Sequence, residues 1–279
     1  MRKTSLALLV TACSLTSTAQ AGSPWLPEPG TLNTVASYVF QTADKFYMAN
    51  RKTKLPTDLS QHTFSAYLEY GLLDNLALDL RLGYAFSNFT KDPMLSPSAS
   101  LDGMTDSNIG VRWRALDETM GDPLTLTFRA AGIVNGTYKT GAINAIGDGA
   151  SGGEFSALLG RYFDNGFSVS GEVGYRTRSR PVPDEFFANI GGHYAFTSAF
   201  SAGVSYQVAE SLSGIDIGSP GFTPARFPAL NEDYQIVGFD LSYQLAPRTF
   251  IAVNYGKTVN GRNTGDQDIV GLSVGQGFF

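Results

Sequence analysis

Leu76-Ala77-Leu78-Asp79-Leu80-Arg81-Leu82-Gly83-Tyr84-Ala85-Phe86 decides how this chain folds. Every even position carries a large apolar side chain, while the odd positions hold only small or charged ones. Side chains of a β-strand point alternately to its two faces. An extended 76–86 therefore has one wholly apolar wall and one wall bearing Asp79 and Arg81. Wound as a helix, the same residues would scatter both charges through the apolar stripe. The segment is a strand.

The same period of two recurs along the chain. Phe64, Ala66, Leu68 and Tyr70 alternate with Thr63, Ser65, Tyr67 and Glu69, and Ile109, Val111 and Trp113 with Gly110, Arg112 and Arg114. Leu126 and Phe128 alternate with Thr127 and Arg129, Val173 and Tyr175 with Glu172 and Arg176, Val204 and Tyr206 with Ser205 and Gln207. Val237, Phe239 and Leu241 alternate with Gly238, Asp240 and Ser242. Weaker copies near 33–47, 153–163, 185–196, 249–259 and 267–279 bring the expected total to twelve strands.

The links between them alternate in length. Leu72–Asn75, Asp117–Asp122, Asp164–Gly166, Thr197–Ala199 and Ala246–Arg248 are short. Met48–Ser60, Thr90–Met104, Asn135–Gly152, Ser179–Asp184, Ser211–Asn231 and Asn260–Asp266 are longer. An even number of antiparallel strands with short periplasmic turns and longer extracellular loops is the plan of a transmembrane β-barrel. Lipid offers the backbone no hydrogen-bond partners, so a sheet spans it only when closed. Phe163 with Phe167, Phe196 with Phe200 and Tyr243 with Phe250 flank three of the short turns, the place of an interfacial aromatic girdle. A soluble β-sandwich shares the alternation but hides its apolar face between two sheets. Strand number, loop asymmetry and girdle speak for the barrel.

Composition narrows the field. The 279 residues are 43% apolar, 12% aromatic and 16% charged, with 31 glycines, one cysteine and a formal charge of −5. About 25% charged residues is ordinary for a soluble domain. The aromatics exclude a disordered chain, and a lone cysteine excludes a disulfide-stapled module. An acidic chain with no basic run is unsuited to nucleic acid. No run of about 20 apolar residues provides a membrane helix.

The N-terminus reads as an export signal. Arg2 and Lys3 precede Leu6-Ala7-Leu8-Leu9-Val10, and Ala19-Gln20-Ala21 supplies the small residues before a cleavage point. Residues 1–21 are the expected signal peptide, with cleavage after Ala21 and a mature charge of −7. Val10-Thr11-Ala12-Cys13 offers a competing lipoprotein box, in which Cys13 would carry lipid. Residues 22–32 form an N-terminal lead-in or a small periplasmic plug carrying Trp25, and 33–279 form the barrel. The three prolines of Gly22–Leu32 bar it from a central strand.

Ser23-Pro24-Trp25-Leu26-Pro27-Glu28-Pro29-Gly30, followed by Ala66-Tyr67-Leu68-Glu69-Tyr70-Gly71-Leu72-Leu73-Asp74-Asn75-Leu76-Ala77-Leu78, resembles the small barrels of the MetA-pathway-of-phenol-degradation type. Similar barrels accompany surface-polysaccharide clusters. Asp102-Gly103-Met104-Thr105-Asp106 before Ile109-Gly110-Val111-Arg112-Trp113-Arg114 is similar to the family's strand start, and Gly160-Arg161-Tyr162-Phe163 continues the likeness. The resemblance covers most of 23–163. It implies a porin- or transporter-like protein of a Gram-negative outer membrane, passing small and often hydrophobic molecules. Phe278-Phe279 resembles the terminal aromatic that barrel-assembly machinery reads. Expected partners are thus outer-membrane lipids, that machinery and a small-molecule solute. An accessory role in surface-polysaccharide export is the second reading.

With the apolar parity toward lipid, Glu69, Asp79, Arg81, Arg112, Arg114, Arg129, Glu172, Arg176 and Asp240 face the lumen. Arg81, Arg112, Arg114 and Arg129 fall on three consecutive strands as a basic strip, with Glu172 and Asp240 well around the wall from it. Such a strip either forms a polarised constriction that orients a solute, or pairs with Glu69 and Asp79 to fill a narrow barrel. The apolar loop residues Ile215, Ile217 and Phe222 either gather a greasy ligand or pack into a lid.

An outer-membrane lipid hydrolase is the third reading. It would use His62, at the start of a strand below an outer loop with Ser60 and Ser65 near. The hydrolase pattern places serine two positions after histidine, where this chain has Phe64, so no catalytic residue is expected. Asp102, Asp106, Asp117 and Glu118 lack calcium-loop spacing, and no lysine follows Gly147-Asp148-Gly149 to make a phosphate loop. No cofactor or metal is implied.

Overall fold

In the computed structural model, residues 23–93 and 95–278 are described. The expected signal peptide, its cleavage point, Cys13 and Phe279 lie outside them. The chain runs β1 (Leu32–Met48), β2 (Arg51–Leu73), β3 (Leu76–Asn88), β4 (Ser100–Met104), β5 (Ser107–Leu116), β6 (Thr125–Val134) and β7 (Gly152–Tyr162). It continues through β8 (Phe167–Arg178), β9 (Glu185–Ala195), β10 (Phe200–Ser211), β11 (Asp233–Ala246), β12 (Thr249–Arg262) and β13 (Asp268–Phe278). Apart from β4 and β5, which both pair with β3, each strand pairs antiparallel with its sequence neighbours, and β1 pairs with β13 from Leu32↔Phe278 to Thr42↔Asp268. That last ladder, together with the β2–β3 pairing, closes the sheet into a transmembrane barrel.

β4 and β5 are two lengths of one stave, so the barrel has the twelve positions the alternation implies. Both pair with β3, β4 through Tyr84↔Met104 and β5 through Arg81↔Asn108. Between those pairs Leu82 and Gly83 face Thr105, Asp106 and Ser107. The extra residue is a bulge, which bends a strand and re-aims a side chain; here it turns Asp106 inward.

Alternation sorts the faces as expected. Phe64, Ile109, Phe155, Val173, Ile190 and Val204 stand 52–60% exposed on the outer wall, while Ala77, Asp79, Glu69 and Arg112 on the opposite parity are at most 2% exposed. An apolar surface of this extent has no place in water; it is the lipid belt. At the short-turn rim Phe163 and Phe167 pair at 5.7 Å, and Phe196 and Phe200 at 5.6 Å. Phe250 departs from the expected girdle. It opposes Gly275, on the parity of buried Ala252 and Asn254, so its ring lies inside the barrel over that glycine.

Two expected loops are corrected. The segment 48–60 is strand, because β1 and β2 turn over Ala49-Asn50 and run on beyond the membrane. The polar run Arg51-Lys52-Thr53-Lys54 and Pro56 conceal it. Ala43 pairs with Leu59 but Lys45 with Lys54, so Leu55–Asp58 bulge out opposite Asp44. Pro56 is accommodated in that bulge, where no ladder bond is required of it. The 90–104 loop is likewise shorter, since β4 occupies 100–104.

Candidate functional site

The lumen has three levels, built from different residue types. At the periplasmic mouth the 23–30 segment folds inward. Trp25 is 8% exposed; its indole Nε1 donates to Glu118 Oε1 at 2.7 Å, and its ring lies 4.2 Å from that of Tyr162. Glu118 Oε2 accepts from the Tyr162 amide at 2.9 Å, and the Thr127 hydroxyl donates to the Pro24 carbonyl at 2.6 Å. Gly160 is required beneath it, because a Cβ there would stand 2.4 Å from Pro24 Cγ and 2.7 Å from the Trp25 ring. Arg114 also belongs to this level. It bonds Asp117 at 2.8 Å and the Asp74 carbonyl at 2.6 Å, at the strand ends, away from the other lumen charges.

Above the mouth runs a belt of ion pairs. Arg112 meets Glu69, both side chains 1% exposed. Arg129 holds Asp79 through two bonds of 2.9 and 2.6 Å and reaches Glu154 Oε1 at 2.6 Å. Glu154 Oε2 takes Arg176 at 2.7 Å, and Arg176 also meets Glu185. The belt crosses β2, β3, β5, β6, β7, β8 and β9. Gly110 of β5 lets Asp79 reach past it: a Cβ there would lie 2.5 Å from Asp79 Oδ2. Glu172 sits on this same wall, with Glu154, Arg129 and Arg112 as its charged neighbours, rather than far around from the strip. Asp240 is on the other wall, 3.4 Å from His193 Nε2. Ser201 with Ser242, and Ser37 with Ser273, bridge that wall's strands at 2.8 Å.

At the extracellular end the loops close over the barrel. Phe46, Leu55, Leu59, Phe89, Ile143 and Phe227 form one buried apolar cluster with Leu230, against which Leu95, Ile215, Ile217 and Phe222 pack. Asn263 clasps it in the left-handed conformation at φ 51°. Its Oδ1 accepts from the amides of Ala49 (2.9 Å) and Ile217 (3.0 Å), and its Nδ2 donates to Asn231 O (2.7 Å) and Asp216 (2.9 Å). Arg262 grips Asp216 with two bonds of 2.8 Å, holding that carboxyl below its usual range.

Between lid and belt lies a cavity of about 390 Å³. Its wall includes Arg81, Asp106, Asp148, Arg178, Glu185 and Glu232. Arg178 pairs with Asp106, which also accepts from the Tyr138 hydroxyl. Asp148 and Glu232, both from extracellular loops, are enclosed here. Burial pushes Asp148 up to about 7 against the pull of Arg178. Burial, then the nearby Asp148 charge, push Glu232 up to about 8, opposed by the Thr264 hydroxyl.

The nine charged residues named from sequence thus divide among the three levels. Six carry ion pairs within them, Asp240 faces His193, Glu172 lies among the belt charges, and Arg81 faces the cavity. Glu154, the hub of the belt, was missed, though it shares the inward parity of Ser156 and opposes the lipid-facing Phe155. Asp106, Arg178 and Glu185 were missed because they lie at strand ends, where alternation breaks down. His62 faces outward, its Nδ1 2.8 Å from the Tyr38 hydroxyl. Ser65 points into the cavity from the other face of β2, so it is not near His62 in the sense a catalytic pair requires.

Comparison with known proteins follows the fold. The sequence profile described as putative MetA-pathway of phenol degradation matches residues 31–273. No curated protein sequence matches significantly. Among solved structures, the COG4313 outer membrane channel from Pseudomonas putida F1 superposes with a TM-score of 0.75 at 14% identity, covering 94% of this chain and 100% of that one. The translocator domain of the autotransporter NalP from Neisseria meningitidis gives 0.53 at 12% identity, over 91% and 90% of the two chains. The KdgM porin in complex with disordered oligogalacturonate gives 0.51 at 8% identity, over 88% and 99%. At such identities the likeness is one of fold, and that fold is an outer-membrane barrel.

Proposed function

The chain belongs to the putative MetA-pathway of phenol degradation family, and we propose that it is a passive outer-membrane channel for small, partly hydrophobic molecules. One observation carries the reading: the barrel interior holds a cavity of about 390 Å³ between an apolar lid and a charged belt. A barrel serving only as a scaffold would fill that space with side chains, as narrow barrels do. Apolar residues at the outer mouth and a wall of mixed polarity beneath suit a solute that leaves water in stages. The expected location is the outer membrane, with lipid against the Phe64–Phe155–Val204 face. In this reading the 22–32 segment is the periplasmic plug. Trp25 is its anchor, and passage requires that the bond to Glu118 open or that solute slip beside it.

A lipid hydrolase finds no support at His62, whose ring is engaged by Tyr38 and whose strand neighbour Ser65 lies on the opposite face. Planar-bilayer recording of the purified protein tests the channel. Discrete conductance steps are expected, and they grow severalfold in a variant lacking Gly22–Leu32. Silence in both proteins, with the barrel folded, overturns the reading.

A further inference from the structure

Arg81 differs from its neighbours in the lumen. It lies on β3 one inward position above Asp79, yet Asp79 is taken by Arg129. Among the described residues Arg81 makes no ion pair and no hydrogen bond, and its Nε is buried without a partner. Its one close ring contact is Tyr67, whose ring centre is 5.7 Å from the guanidinium carbon, within cation–π range. Tyr67 fixes the guanidinium plane but leaves its donors unused. A desolvated charge of this kind needs a counter-charge or water. Arg81 lines the cavity, and the residues paired with it and one step above, Asn108 and Ser65, line it too.

Guanidinium is matched by a planar anion that accepts two parallel bonds, and carboxylate is the common organic case. Part of the same cavity wall is apolar: Val39, Phe46, Leu59, Ile133, Phe227 and Ile236 contribute to it, alongside the polar and charged residues already named. An inorganic anion would leave that surface against water, whereas an amphipathic anion would cover it. We propose that Arg81 is a binding site for the carboxylate of a small amphipathic monocarboxylate whose apolar body lies under the lid. The proposal rests on the channel reading for its physiological sense. The site itself is a property of the cavity and is measurable without current.

Calorimetric titration of the full mature protein in detergent, with phenylacetate, its neutral isostere phenylacetamide, and acetate as probes, tests it. Phenylacetate is expected to bind at least about tenfold more tightly than either other probe, a difference of about 1.4 kcal/mol. Arg81→Gln removes the preference over the amide, while Arg81→Lys keeps the charge, loses the bidentate geometry and retains part of it. Heat-modifiable gel migration verifies that each variant is folded. If Arg81→Gln does not fold, the lysine variant and the acid–amide comparison in the native sequence still decide. Equal binding of acid and amide, or a preference that survives Arg81→Gln, overturns the site. Carboxylate-selective binding by a barrel that never conducts leaves the site and overturns the channel; conductance without such binding does the reverse.

Discussion

The belt and the cavity above it draw on the same residue types and use them differently. In the belt, Glu69 holds Arg112, and Asp79 with Glu154 holds Arg129, in pairs buried on all sides. In the cavity, Arg81, Asp148 and Glu232 make no ion pair among the described residues. Charges brought together by neighbouring strands neutralise one another and lock the wall. The three in the cavity, facing a space, wait for water, a proton or a ligand. The same difference separates the ends of the lumen: the 23–30 segment fixed by hydrogen bonds below, a lid held mainly by apolar packing above.

The largest effect on this contrast is expected from Arg112→Ala. Removing one partner leaves Glu69 charged and buried, which costs about 3–5 kcal/mol. Denaturant titration followed by gel mobility should show that loss, and Glu69→Gln combined with Arg112→Gln should recover much of it. Recovery failing in the double variant would mean that the pair is not what holds the wall. A smaller effect follows from Trp25→Phe, which deletes the donor to Glu118 and keeps the ring. A hydrogen bond to a charged group contributes about 1.5–3 kcal/mol. The loss falls on the N-terminal segment rather than the barrel, so the folded band should keep its melting temperature while proteolysis within 22–32 accelerates. An unchanged cleavage rate would show that the stacking on Tyr162 alone fixes the segment.

A third effect is one of pH and concerns the lid, through Asp148 and Glu232. Their values, about 7 and about 8, lie above the ordinary 3.8 and 4.5 they regain once the loops open. The closed lid therefore binds protons more tightly than the open one. Its contribution is complete below about pH 4, declines as pH rises through the raised values, and levels off above about pH 8. Loop hydrogen exchange or proteolysis should accelerate from pH 5 to 8 and flatten beyond it. Asp148→Asn with Glu232→Gln should abolish the dependence. Acceleration on acidification would reverse the sign and place these carboxyls outside the closed cavity.

The barrel was legible in the sequence for a local reason. Which side of a strand a residue faces follows from counting along it, so the lipid wall and the inward charges could be read from Leu76–Phe86 and its repeats. The reading failed where counting resets. The bulge at 55–58 disguised a strand as a loop, the break at Thr105-Asp106 hid a lumen acid, and Phe250, just past a turn, was given the wrong face. Arg81, Arg112, Arg114 and Arg129 stand on adjoining staves but at three different levels of the lumen, and Glu154 went unnoticed in a segment whose glycines blur the alternation.

Facing could be settled residue by residue, because a strand's pleat repeats every two positions whatever it packs against. Partnership could not. Arg129 meets Asp79 across an intervening strand and fifty positions of chain, which depends on strand stagger, on the missing side chain at Gly110 and on closure of β1 against β13. That Arg81 is left over, with a cavity in front of it, emerges only when every neighbouring acid has been assigned in three dimensions.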